Sequence, residues 1–281
     1  MLELFVLGAS DLRGQDDEGL TAILTQPKRL ALLLYLHIAR PHGFIRRDRL
    51  VAIFWPELDT TRSRNALSKS IHHIRRALGD TAIISRGDEV LLDGTFIRSD
   101  VQDLERALSS NDHERALELY RGPLADGLFV NEAPEFERWL DQERERIRTG
   151  VASAAWALAD KSRKEGRFGE ATTLARRAFS FTKEEEPALR RLMSFLENAG
   201  DRAGALRAYD TFSEWLRAEL DAEPAPESQA LQRRIREDSK PHFVESVPTR
   251  EPTAVTAATS APTTDNPRSS PWIRVATVGA A

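Results

Sequence analysis

Residues Thr61 to Gly79 read TRSRNALSKSIHHIRRALG, and this stretch decides the fold. At about 100° per residue, Ala66, Leu67, Ser70, Ile71, Ile74, Ala77 and Leu78 fall on one side of a helix. Arg62, Asn65, Lys69, His72 and Arg76 fall on the other, which holds no carboxylate. That second face offers donors for phosphate oxygens and an amide that suits a base edge. A basic helical face taken alone is more often solvated surface than a binding site. Its neighbours in the sequence therefore carry weight.

Downstream, Thr81 to Leu92 read TAIISRGDEVLL, two β-prone runs around Arg86-Gly87-Asp88. Gly at the turn between two such runs marks a hairpin. Upstream, Pro27 opens a helix with Leu30, Leu33, Leu34 and His37 on a broad apolar side, which stops before Arg40-Pro41. Phe44-Ile45 reads as extended, and Asp48 as the N-cap of a helix through Leu50, Val51, Phe54 and Trp55, ended by Pro56. Leu2 to Leu7 reads as a strand and Leu20 to Thr25 as another. Helix, helix, hairpin is the winged helix-turn-helix order, with the second helix in the major groove and the wing at the neighbouring groove or backbone. On that reading Arg86 stands at the wing tip. Arg46 and Arg47, ahead of the helix that starts near Asp48, are candidates for backbone contact. Arg64 and Arg75 sit at the flanks of the basic face.

Charge supports the same reading. The 281-residue chain has a net charge of −4, yet from Arg40 to Gly79 nine basic residues face only Asp48, Glu57 and Asp59, a local surplus of six. Such a patch concentrates a polyanion locally. The chain has no cysteine, which excludes disulfides, thiol catalysis and cysteine-based zinc sites. No signal peptide is read at the start, which suits a cytoplasmic location.

Near Asp100 the period becomes helical and stays so to Ser239. Gly166-Arg167-Phe168-Gly169-Glu170-Ala171 aligns with Gly200-Asp201-Arg202-Ala203-Gly204-Ala205 at an offset of 34, and Leu158 with Leu192, and Ala178 with Phe212, keep it. That is the tetratricopeptide spacing: paired antiparallel helices, a Gly turn, and Ala where helices cross closely. Asp112 to Leu117 reads as a degenerate earlier unit, thrown out of register by a loop from Gly122 to Pro134. Residues 240–281 are rich in Pro, Ser, Thr and Ala and read as a disordered tail. Its last ten residues, from Trp272, read either as a frayed terminus or as the start of an apolar segment continuing into a membrane span in a longer chain.

The chain resembles the SARP-type regulators, transcription activators with an OmpR-like winged helix followed by a bacterial transcriptional activator domain. The resemblance covers about residues 1–237. It rests on Leu7-Gly8, Pro27-Lys28-Arg29, Arg47-Asp48-Arg49-Leu50 with Trp55, and Ala66 to Leu78. In the second half it rests on Tyr120-Arg121-Gly122-Pro123-Leu124, Trp139 to Arg146, Gly204 to Tyr209 and LDAEPAP at Leu220 to Pro226. It implies an N-terminal α+β winged-helix domain (1–99), an all-α tetratricopeptide-like domain (100–239) and the tail (240–281), a mainly α protein. It also implies an activator binding repeated promoter sites on double-stranded DNA, with the helical domain for self-association or contact with RNA polymerase. The sequence departs from the family at the wing, where Ser85 to Val90 lack an aromatic and Asp88 and Glu89 add negative charge. There is also no Walker A motif.

Two other classes compete with this reading. An enzyme has little to stand on: there is no G-x-S-x-G, H-E-x-x-H or phosphate loop, and the adjacent His72 and His73 diverge on a helix and cannot chelate one metal. No catalytic residue, cofactor or metal is expected. A protein-interaction scaffold that uses the repeats without DNA binding is the alternative. The basic face argues against it, because a protein-binding face more often mixes signs.

Overall fold

Alternating Leu2 and Leu4 point into the core from strand β1 (Leu2–Phe5). In the computed structural model, which describes residues 2–14 and 17–237, β1 is the middle strand of a three-stranded sheet. It pairs antiparallel with β2 (Asp11–Arg13), and parallel with β6 (Ile97–Ser99), Leu4 lying opposite Ser99. Between β2 and β6 run α1 (Asp17–Leu24), α2 (Pro27–Ile38), the short β3 (Ile45–Arg46), α3 (Arg47–Phe54), α4 (Thr60–Leu78) and the hairpin of β4 (Ile83–Arg86) and β5 (Glu89–Leu92). The hairpin and β3 make a second sheet in the order β3-β5-β4. This is a winged helix-turn-helix, with Gly87 supplying φ +57° in the two-residue wing turn.

Two sequence expectations are corrected here. Leu20 to Thr25 is not a strand: Leu20 to Leu24 belong to α1, where Leu20 and Ile23 are buried three residues apart, the spacing of one helical face. Asp48 is not an N-cap. Helix α3 begins at Arg47 directly from β3, and the Arg47 N–H is taken by the Asp88 carbonyl of the wing turn at 2.9 Å. The Asp48 side chain turns outward to Arg64 instead. His37, placed by the sequence on the apolar side of its helix, is buried, its Nε2 2.9 Å from the Ser99 Oγ.

The second half is helical: α5 (Asp100–Ser109), α6 (His113–Leu119), α7 (Pro134–Lys164), α8 (Phe168–Phe181), α9 (Glu186–Asn198), α10 (Arg202–Leu220) and α11 (Pro226–Glu237). The repeated Gly166 and Gly200 end α7 and α9 with φ of +76° and +79°. In each turn an N–H reaches back to close the helix end, Arg167 to the Ser162 carbonyl (2.9 Å) and Asp201 to that of Leu196 (2.8 Å). The α5–α6 turn repeats this: Asn111 has φ +58°, and the Asp112 N–H reaches the Ala107 carbonyl at 2.9 Å. Ala116, Ala171 and Ala205, each four residues beyond its closing N–H, are all buried. The early unit is thus a true turn of the same design, with Asn in place of Gly.

The two halves share one continuous hydrophobic core, and the described residues form one compact unit. The seam is built from the motifs the sequence singled out. Gly8 and Gly122 meet so closely that a Cβ on Gly122 would lie 3.1 Å from the Gly8 Cα. Around them the Gly8 N–H donates to the Pro123 carbonyl (2.9 Å), and the Ala125 N–H to that of Val6 (2.6 Å). Arg144 donates to the Leu124 and Ala125 carbonyls, both at 2.9 Å. The Asp100 carboxylate, at the start of α5, accepts from the Val6 and Leu7 N–H groups at 3.0 Å. Burial pushes the Asp100 carboxyl above its ordinary range, against the pull of those N–H donors. Beside this seam Tyr35 of α2 stacks edge-on with Trp139 of α7 (4.7 Å between centroids), and Phe54 of α3 lies 5.1 Å from Phe136.

The predicted tail, with its membrane alternative, lies outside the described residues. Among the described residues, no helix is long and apolar enough to cross a membrane.

Candidate nucleic-acid interface

Asp59 starts α4. Its carboxylate accepts from the Thr61 and Arg62 N–H groups at 3.0 and 2.9 Å, an N-cap the sequence reading missed. Ser63, Leu67, Ser70, Ile71 and Ile74 then face the core, and the Ser70 hydroxyl is satisfied by the Ala66 carbonyl at 2.9 Å. Arg62, Asn65, Lys69, His72 and Arg76 are all exposed on the opposite side, one continuous row along the helix.

The structure brings carboxylates to the edges of this row. Arg62 lies 3.3 Å from its own cap Asp59, and Arg76 lies 3.7 Å from Glu18 of α1. Arg64 sits off the row, 2.7 Å from Asp48 of α3 and 3.8 Å from Asp88 of the wing turn. Its hydrogen bond to Asp48 holds that carboxyl below the usual range. The middle of the row differs: Asn65, Lys69 and His72 form no ion pair among the described residues.

Arg75, at the flank, is turned inward and fixes the wing. Its guanidinium donates to the Ile83 carbonyl at 2.6 Å and to the Ser85 hydroxyl at 3.0 Å. Arg47 reaches the same hydroxyl at 3.4 Å. Arg86, at the wing tip, is paired with Glu89 at 3.2 Å and lies over the Phe44 ring at 4.2 Å. The aromatic missing from the wing turn is thus replaced in space by Phe44, ahead of β3. Arg46 is exposed and 3.7 Å from Asp48. The predicted residues therefore fall into two groups. Arg62, Asn65, Lys69, His72 and Arg76 line one face of α4, and Arg46, Arg47, Arg64 and Arg86 gather where α3 meets the wing.

The other flank of α4 is a cleft of about 400 Å³ between the start of α2, the helix itself and a loop of the second half. Lys28, Arg29 and Lys69 line it together with Phe129 and Asn131. Burial, and then the charges of Arg29, His72 and Arg76, push the His73 ring below its usual range. The sequence reading did not find this flank, because Phe129 lies sixty residues beyond Lys69 in the chain.

Residues 96–236 match the bacterial transcriptional activator domain family. That stretch begins at the last strand of the winged helix, so the matched region contributes β6 to the first sheet. Among solved structures the chain is similar to "Mycobacterium tuberculosis EmbR in complex with low affinity phosphopeptide", with a TM-score of 0.57 and 19% sequence identity. The likeness covers 84% of this chain and 65% of that one, and at this identity it is a likeness of fold. No curated protein matches the sequence.

Proposed function

Since the chain belongs to the bacterial transcriptional activator domain family and is a transcription regulator of the SARP kind, we propose that it binds double-stranded DNA through α4. The observation that carries this is the row of Arg62, Asn65, Lys69, His72 and Arg76, exposed in line while Leu67, Ile71 and Ile74 are buried behind it. A helix so held presents one polar face to a groove wide enough to admit it. Asn65 is the residue suited to reading a base, and Lys69 and Arg76 to holding phosphates. Arg46, Arg47, Arg64 and Arg86 supply further positive charge on the wing side.

In this reading the protein acts as an activator at repeated promoter sites. Two copies load side by side, and the helical half makes the contact between copies or with RNA polymerase. The paired helices α7 to α10 leave the kind of stacked surface that partner helices use. Fluorescence anisotropy with duplex DNA selected on the full chain tests the core of the proposal. Lys69→Ala should lower the affinity and reduce the slope of log affinity against log salt by about one. An unchanged affinity and slope would remove α4 from the interface.

A further inference from the structure

A helix lying in the major groove has a phosphate backbone on each side. In this protein the two flanks of α4 are built differently. The wing flank is marked by Arg75 and Arg64, which touch β4 and the wing turn. The opposite flank belongs in part to the helical half, because Phe129, Val130 and Asn131 of its long loop border the cleft beside Lys69.

That loop is anchored on both sides of an outward-facing ring. Val130 is 1% exposed, and its N–H donates to the Glu137 carboxylate at 2.7 Å. The Leu128 N–H donates to the Ala125 carbonyl at 3.0 Å. Phe129 between them is 65% exposed, the most exposed of the large apolar side chains among the described residues. A fixed loop that holds an aromatic ring in water gains nothing for its own fold. Across the cleft, Lys28 is already paired with Glu57 at 3.0 Å. Arg29 is held through the Ala22 carbonyl at 2.8 Å, and neither it nor Lys69 meets a carboxylate among the described residues. The cleft therefore joins two uncompensated cations, an amide (Asn131) and a flat apolar surface, in continuity with the row on α4.

We propose that residues 128–131 form a DNA-contacting element opposite the wing. The Phe129 ring lies on a backbone sugar, and Lys69 and Arg29 hold the adjoining phosphates. This rests on the DNA-binding reading of α4 and extends it: the helical half is itself part of the DNA interface, so the duplex is gripped from both sides of the recognition helix. A deoxyribose offers an apolar face and the phosphates beside it two charges, which is the chemistry the cleft displays.

The test uses the full chain and a duplex selected from random DNA on the wild-type protein. Phe129→Ala should weaken binding about five- to tenfold and remove hydroxyl-radical protection from the backbone stretch on the flank away from the wing. Phe129→Glu should weaken it further, and the deficit should grow as salt is lowered, because a carboxylate beside phosphates repels over a longer range there. An exposed side chain leaves the melting temperature of both variants near that of the wild type, which circular dichroism checks. If both variants bind as the wild type at every salt concentration while Lys69→Ala is weakened, the loop contact is overturned and α4 stands. If selection retains no DNA, or Lys69→Ala is without effect, the reading of α4 fails and takes the loop with it.

Discussion

Lys69 stands mid-row on α4 with no ion pair among the described residues, whereas Arg62 and Arg76 each have a carboxylate within 4 Å. A cation that must leave a carboxylate gains less from a phosphate. Lys69→Ala is therefore expected to weaken duplex binding more than Arg62→Ala or Arg76→Ala, and anisotropy titrations on the three variants would rank them. Asn65→Ala should leave the salt slope alone and relax sequence preference instead, visible as a broader set of duplexes retained in selection. The faces of α4 were legible because a helical period assigns each residue a side. The ion pairs were not, because Glu18, Asp48 and Asp88 are brought to α4 by tertiary folding. His37 gives a prediction of another kind. Burial, with His42 nearby, lowers its pKa to about 4, against a smaller opposing effect of Glu105. The unfolded chain then takes up the proton first as pH falls. Stability from this group is complete above about pH 6.5 and is lost towards pH 4, on the order of 3 kcal/mol in all. His37→Leu should flatten the fall of the thermal midpoint across that window.

At the scale of elements, Arg75 is the side chain of α4 that hydrogen-bonds to β4 of the wing. Arg75→Ala removes its bonds to the Ile83 carbonyl and the Ser85 hydroxyl. It should cost about 1–2 kcal/mol in a denaturant melt and weaken DNA binding by loosening β4 and β5. Gly122→Ala should cost a similar amount, because its new methyl group meets the Gly8 Cα at 3.1 Å. The order of helices and the hairpin was readable from Pro27, Pro56 and Gly87, each of which punctuates the chain for a stereochemical reason. Helix α1 was not, since Leu20-Thr21-Ala22-Ile23-Leu24 is a short apolar run that fits either period. The repeat was visible where Gly marks it, at Gly166 and Gly200. At the first turn Asn111 adopts the same left-handed conformation, and a search for Gly passes over it.

In the whole molecule, the seam between winged helix and helical half buries Tyr35 and Phe54 against Trp139 and Phe136. The sequence reads residues 1–99 and 100–239 as two domains, and the seam gives their separation a cost. Residues 1–99 should melt cooperatively but be less stable by on the order of 3 kcal/mol for the uncovered rings, a difference calorimetry on fragment and full chain would measure. On DNA with two sites, sedimentation should show cooperative loading by the full chain and independent loading by residues 1–99. Equal cooperativity in both would move the contact between copies into the winged helix. Composition could announce two halves and a tail, yet the close approach of Gly8 to Gly122 is a long-range fact that no local pattern contains.

That close approach has a consequence for the geometry of a promoter. Backbone hydrogen bonds at the glycine pair, and stacked rings beside it, leave no swivel between the part proposed to read DNA and the part proposed to touch a neighbouring copy. The helical half then points in a direction fixed by the rotation of the duplex beneath it. Two copies should meet only when their sites face the same way around the DNA axis. Inserting about five base pairs between two sites, half a turn of the double helix, should abolish cooperative loading, and about five more should restore it. A protein with a flexible joint at the same place would tolerate either spacing.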